Sequence, residues 1–258
     1  MKFTKQLIVA ILFITSFISC EKNEDDLNIS LNEETISAKW IVEGSSDYES
    51  FEYNESGNYI IVKNTTVKST KSQIVLFGTY QIIDNKTIVL SDFGTMTISN
   101  IEENLIGFLI NLDSNPANEI TVNAVKQDEI ANSTKTKLLC RTWELVSFGE
   151  TDIGDFIILF SDAGTYFVEG GSESGEGTLG TWKWCNPEET KLAFTVDNFL
   201  DCDGLEIIEE IQLTSDSFTG IDMENGEPEV MVMKPVSSVK LTRVTKPEID
   251  KGILGRMY

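Results

Sequence analysis

The 258-residue chain contains no histidine. Histidine is the side chain that titrates nearest neutrality and the commonest zinc ligand. Its absence excludes Ser-His-Asp and Cys-His catalysis and removes the usual route to a zinc centre. Basic residues are also scarce: 20 Lys and Arg stand against 42 Asp and Glu, a formal net charge of −22. A surface of that sign repels phosphate backbones, so nucleic acid is not an expected partner. No segment of helical length carries an apolar stripe of period 3.6. The longest apolar run, Leu7–Ile14, is well short of the ~20 residues that a membrane-spanning helix requires.

That run has another use. Lys2 and Lys5 precede it, and Phe17, Ile18, Ser19 and Cys20 follow. A basic start with a short apolar core is the pattern of a secretory signal. Phe17 would be a poor −3 residue for an ordinary signal peptidase, whereas Phe17-Ile-Ser-Cys20 resembles the lipobox of bacterial lipoproteins. The resemblance implies a signal peptide over residues 1–19 and lipidation of Cys20, with a palmitate-type acyl anchor. At roughly 0.8 kcal/mol per buried CH₂, several chains hold far more firmly than one. Removing residues 1–19 takes away Lys2 and Lys5 and no acid, moving the charge from −22 to −24. The segment Glu21-Lys-Asn-Glu-Asp-Asp26, inside an acidic tether over 20–33, resembles the export signal that carries Bacteroidota-type lipoproteins to the outer face of the outer membrane. A disordered spacer is the alternative. The expected address is the outer membrane, lipid-anchored through Cys20 and exposed at the cell surface.

Lipidation leaves Cys140, Cys185 and Cys202, in a compartment that permits disulfides. Cys185 and Cys202 stand at the ends of adjacent expected strands and are the better pair. No spacing rule fixes the pairing, so three reduced thiols remain the alternative.

The rest of the chain repeats itself. Ile36-Ser-Ala-Lys-Trp40 matches Leu139-Cys-Arg-Thr-Trp143, each with an aliphatic residue four before a tryptophan. Phe51-Glu-Tyr-Asn-Glu-Ser-Gly57-Asn-Tyr59 matches Leu159-Phe-Ser-Asp-Ala-Gly164-Thr-Tyr166, both reading as strand, glycine turn and aromatic return strand. Gly78-Thr-Tyr80 matches Gly180-Thr-Trp182, and Thr87–Leu90 matches Lys191–Phe194. Thr121–Val125 and Val239–Val244 close the two copies. Landmarks recurring in order about a hundred residues apart signal duplication. Apolar residues often alternate, as in Trp182/Trp184, Leu192/Phe194/Val196 and Met96/Ile98, which marks half-buried antiparallel strands. Short successive hairpins favour closure into a barrel, which removes exposed edges. The expectation is an all-β chain of two tandem small antiparallel eight-stranded barrels, with a β-sandwich as the alternative.

These landmarks resemble the lipocalin-like domains of Bacteroidota lipoproteins, over about residues 34–126 and 137–245, with a C-terminal tail from 246 to 258. The resemblance implies small barrels of unassigned function. It departs where the wider lipocalin pattern has glycine near positions held here by Ala38 and Arg141.

If each copy is a barrel, Trp40, Phe51, Tyr59 and Tyr80, then Trp143, Phe160, Tyr166, Trp182 and Trp184, are candidates for a ligand cup. Small barrels can equally be filled by their own side chains. The ligand-binding expectation rests on Trp182 and Trp184, which share a face, and on Tyr80 and Trp40. Asp201, Asp203 and Glu210 fall on calcium-loop positions three, five and twelve, yet Phe199 at position one cannot ligate, so a solvated turn is the main reading. No cofactor and no catalytic residue are expected. The expected role is a non-enzymatic binding module for a small ligand or a cell-surface component. A structural or accessory subunit of an outer-membrane assembly is the alternative. A carboxylate-based hydrolase comes last, because 42 acids supply suitable pairs by chance.

Overall fold

The computed structural model describes residues 31–44, 46–67, 70–153, 156–170, 177–196, 200–223 and 227–236. Cys20, residues 1–19, most of the tether, the strand expected at Val239–Val244 and the tail 246–258 lie outside the described residues.

Two closed antiparallel barrels stand in tandem. In the first, helix α1 (Glu33–Ile36) leads into β1 (Ala38–Val42), β2 (Tyr48–Tyr53), β3 (Asn58–Val67), β4 (Thr70–Ile82), β5 (Thr87–Leu90), β6 (Gly94–Ile101), β7 (Leu105–Leu112) and β8 (Asn115–Lys126). Each strand pairs with the next, and β8 returns to β1 through Trp40↔Lys126 and Val42↔Ala124. Helix α2 (Thr134–Leu139) then opens the second copy: β9 (Thr142–Phe148), β10 (Thr151–Asp152), β11 (Ile157–Phe160), β12 (Thr165–Glu169), β13 (Gly177–Trp184), β14 (Leu192–Thr195), β15 (Ile207–Leu213), β16 (Phe218–Asp222) and β17 (Glu229–Pro235). Here β17 pairs with β9 to close eight strands, and β10 is a two-residue ribbon on the free stretch of β9.

Period-two alternation sends one row of each strand inward. In barrel 1, Ala38, Trp40, Phe51, Tyr53, Tyr59, Ile61, Ile88, Leu90, Met96 and Ile98 form the interior with residues of β7 and β8. In barrel 2, Trp143, Leu145, Ile158, Phe160, Tyr166, Val168, Trp182, Leu192 and Phe194 do the same. The short helices close one end of each interior. Asn32 caps α1, its side chain accepting from Thr35 N–H while Thr35 Oγ1 accepts from the Asn32 N–H, and Ser133 caps α2. Ile36 and Leu139, fully buried, extend the two cores.

The repeated turns are matched in atomic detail. Gly57 and Gly164 both have φ +80°, a region that a side chain disfavours. Gly57 N–H donates to Asn54 O and Gly164 N–H to Ser161 O, both at 3.1 Å. Tyr80 N–H and Trp182 N–H then donate to the carbonyls of those glycines.

The barrels also share an outer wall. Ile60, Val62, Val75 and Phe77 point away from the interior of barrel 1 and pack with Leu159 and Phe167 from the outside of barrel 2. The rings of Phe77 and Phe167 lie 4.8 Å apart. Two hydrogen bonds cross this seam reciprocally. Lys39, the residue before Trp40, donates to Thr165 Oγ1 at 3.1 Å, and Thr142, the residue before Trp143, donates to Asn58 Oδ1 at 2.8 Å. Asn58 and Thr165 each follow the turn glycine of their copy. Position i of one copy thus touches j of the other and the reverse, the signature of a two-fold contact.

Candidate functional site

The side chains expected to line a cup lie in the interiors, with their polar atoms engaged. Trp40, 1% exposed, donates Nε1–H to Ile36 O at 3.0 Å, and Trp143 donates to Leu139 O at 2.8 Å. These bonds explain the four-residue spacing that recurs in the sequence: the indole ties the strand to the last turn of the plug helix. Tyr80 donates its hydroxyl to Asn54 O at 2.9 Å, and its counterpart Trp182 donates Nε1–H to Ser161 O at 2.8 Å. Each therefore clasps the carbonyl of its own glycine turn. Tyr59 donates to Ser91 O, and Tyr53 to Met96 Sδ.

Phe51 and Phe108 pack at a tilt of 46° inside barrel 1, while Tyr48 and Phe93 meet edge-on at 6.0 Å, both buried. In barrel 2, Phe160 contacts both Tyr166 and Trp182. Trp184 differs: it is half-buried, stands perpendicular to Trp182 at 5.5 Å, and donates to Thr136 Oγ1 at 2.8 Å. Burial raises the phenol pKa values, that of Tyr80 to about 12 and those of Tyr53 and Tyr59 also upward, so none of these hydroxyls serves as a base near neutrality.

Cys185 and Cys202 form a disulfide. With Lys183 donating to Leu200 O at 3.0 Å, it holds the β14–β15 loop against the outside of β13. Asp201 caps a tight turn there, accepting from Asp203 N–H, and Glu210 is exposed at a bulge of β15 with φ +52°. Among the described residues no three acidic or cysteine side chains gather to hold a metal ion.

A second constellation occupies the seam. Glu52 points outward from β2 yet is only 4% exposed, and its Oε1 has no hydrogen-bond partner. On barrel 2, Asp162 stands in the β11–β12 turn, near enough for the Glu52 charge to act on it. Burial, then Glu129 and Glu52, push the Asp162 carboxyl up to about 6. Cys140, the free thiol among the described residues, is raised by burial and by Asp162, Glu52 and Glu129. Residues between the barrels are stitched across this region: Ile130 N–H donates to Asp162 O and Gln127 Nε2 to Ala163 O, both at 2.8 Å. None of these acids stands out in the sequence. The available signal was the failure of alternation in Tyr59-Ile-Ile-Val62, Ile74-Val-Leu-Phe77 and Ile157-Ile-Leu-Phe160, since strands apolar on both faces are covered on both.

The class defined by this geometry is a tandem pair of eight-stranded antiparallel barrels, consistent with a lipocalin-like fold. No model of a known protein family and no curated protein matches the chain.

Proposed function

We propose that the protein is an exported, lipid-anchored and non-enzymatic interaction module, similar to the lipocalin-like lipoproteins of Bacteroidota, held at the outer membrane through Cys20. Its contacts are made by outer walls and loops. The observation that carries this reading is the engagement of Trp40, Tyr80, Trp143 and Trp182 with backbone carbonyls inside their own barrels. A ligand entering either interior would have to displace packed rings and leave those carbonyls unsatisfied, at about 1–3 kcal/mol each. Native mass spectrometry of the membrane-extracted protein tests the proposal. The expected mass is polypeptide plus acyl groups, shifted to the unacylated mass and the soluble fraction by Cys20→Ser. A small molecule retained one-to-one by the polypeptide would overturn it.

One observation favours a shallow ligand site as a second reading. Trp184 is half-buried beside the fully buried Trp182 at the α2 end of barrel 2, so one indole of the pair is within reach of solvent. Ligand-dependent quenching of tryptophan fluorescence that disappears in Trp184→Phe would support it.

A further inference from the structure

We propose that the β2–β3 turn of barrel 1, Asn54–Gly57, is a docking surface for residues 237–241 of the same chain, the mirror of a crossing that Gln127–Ile130 makes over the β11–β12 turn of barrel 2. The crossing over barrel 2 is seen in full. As the chain leaves barrel 1, Gln127 N–H donates to Lys39 O and Gln127 Nε2 to Ala163 O, both at 2.8 Å. Three residues later Ile130 N–H donates to Asp162 O at 2.8 Å. The Ile130 side chain stands 3.1 Å from where a Cβ on Gly164 would lie. Ala163 and Gly164 are buried as a result.

Barrel 2 releases the chain at the equivalent point. Val236 N–H donates to Thr142 O at 3.0 Å, the counterpart of Lys39 O, and Val236 packs against the apolar cluster of the seam. The two-fold relation that pairs Lys39 with Thr165 and Thr142 with Asn58 then aims the outgoing chain at Asn54–Gly57. Among the described residues this turn is bare. Glu55 and Ser56 are exposed, and a Cβ on Gly57 would meet Tyr80 O alone, at 3.8 Å. Asn54, which opens the turn, is buried with an Nδ2 that has no partner among the described residues.

The occupant fits by length, sequence and charge. Val236-Ser-Ser-Val239 keeps the spacing of Gln127-Asp-Glu-Ile130, a β-branched aliphatic residue three after the last strand contact. Three residues reach about 10 Å, enough for the same crossing. Ser237 and Ser238 stand in place of Asp128 and Glu129, and Lys240 follows. Residues 237–258 hold five basic side chains against two acidic ones, in a chain of net charge −22. A cationic segment suits a turn that carries Glu55, with Glu33 acting on the same Tyr80 hydroxyl. In the docked form Val239 N–H donates to Glu55 O and its side chain covers Gly57, so the C-terminal segment of barrel 2 is tied to barrel 1.

Hydrogen exchange of the full chain tests the docking, with Ile130→Asp at the visible crossing setting the size of the effect. The Val239 amide should exchange at least about tenfold more slowly than in a free peptide of residues 234–245, and equally so after dilution. Carbodiimide coupling reads position: Lys240 should be joined to Glu55, and both the link and the slow exchange should be lost in Val239→Asp. A Val239 amide at the peptide rate, or Lys240 joined only to acids of barrel 2, would overturn the proposal. Protection that vanishes on dilution would overturn it in favour of a second copy of the chain.

Discussion

At the scale of single residues, the indole nitrogens define what the tryptophans are for. Trp143→Phe keeps the ring's bulk and deletes only the bond to Leu139 O at the end of α2. We expect a loss of about 1–2 kcal/mol in urea unfolding, with the fold retained. Gly94 makes the opposite point, because here the missing atom matters. Its φ is +148°, and an added Cβ would lie 2.2 Å from Asn111 O on β7. Gly94→Ala should therefore cost more than about 2 kcal/mol, against roughly 1 kcal/mol at Gly57, where the nearest atom is 3.8 Å away. The same urea titration separates the two. The duplicated tryptophans and turn glycines were legible because they are rare residues at fixed spacing. Glu52 was not, since an acid between Phe51 and Tyr53 reads as the wet face of a strand. Its burial is decided by a wall more than a hundred residues further along the chain.

At the scale of elements, the Cys185–Cys202 bridge joins residues 17 apart and secures a loop that Lys183 also ties down through Leu200 O. Reduction, or Cys202→Ser, should lower stability by about 2–4 kcal/mol and expose residues near 200 to protease. Mass mapping of the first cut under limited digestion checks the second part. The strands themselves were readable from alternation, and the barrels from the economy of short hairpins. The two plug helices were not. Four and six residues are too few to show a 3.6-residue stripe, and only the capping residues Asn32 and Ser133 mark their starts. The ribbon β10 is shorter still and depends on the neighbouring stretch of β9 being free of β11.

At the scale of the whole molecule, the seam should make two barrels unfold as one. Phe77 and Phe167 touch across it, so a double-mutant cycle on Phe77→Ala and Phe167→Ala should show coupling of about 0.5–1.5 kcal/mol. The double variant should split a single calorimetric transition into two. Acid dependence belongs at this scale too. The folded Asp162 carboxyl titrates near 6, above its ordinary value of 3.8. Its favourable contribution is fully present below 3.8 and is lost as pH rises through 6. Melting temperature should therefore fall between pH 5 and pH 8, and Asp162→Asn should flatten that fall.

The reciprocal pairs Lys39–Thr165 and Thr142–Asn58 carry a consequence for symmetry. They have the geometry of the contacts that two separate copies of one barrel would make in a symmetric dimer. In such a dimer every acid at the interface occurs twice. Two halves carried on one chain are free of that constraint, because each can differ alone. The position held by Glu52 in the first half is Leu159 in the second, pairing in register with Ile60 and Phe167 respectively. The two halves thus differ at one equivalent seam position, an apolar side chain in one and a carboxylate in the other, an asymmetry that two identical chains cannot carry.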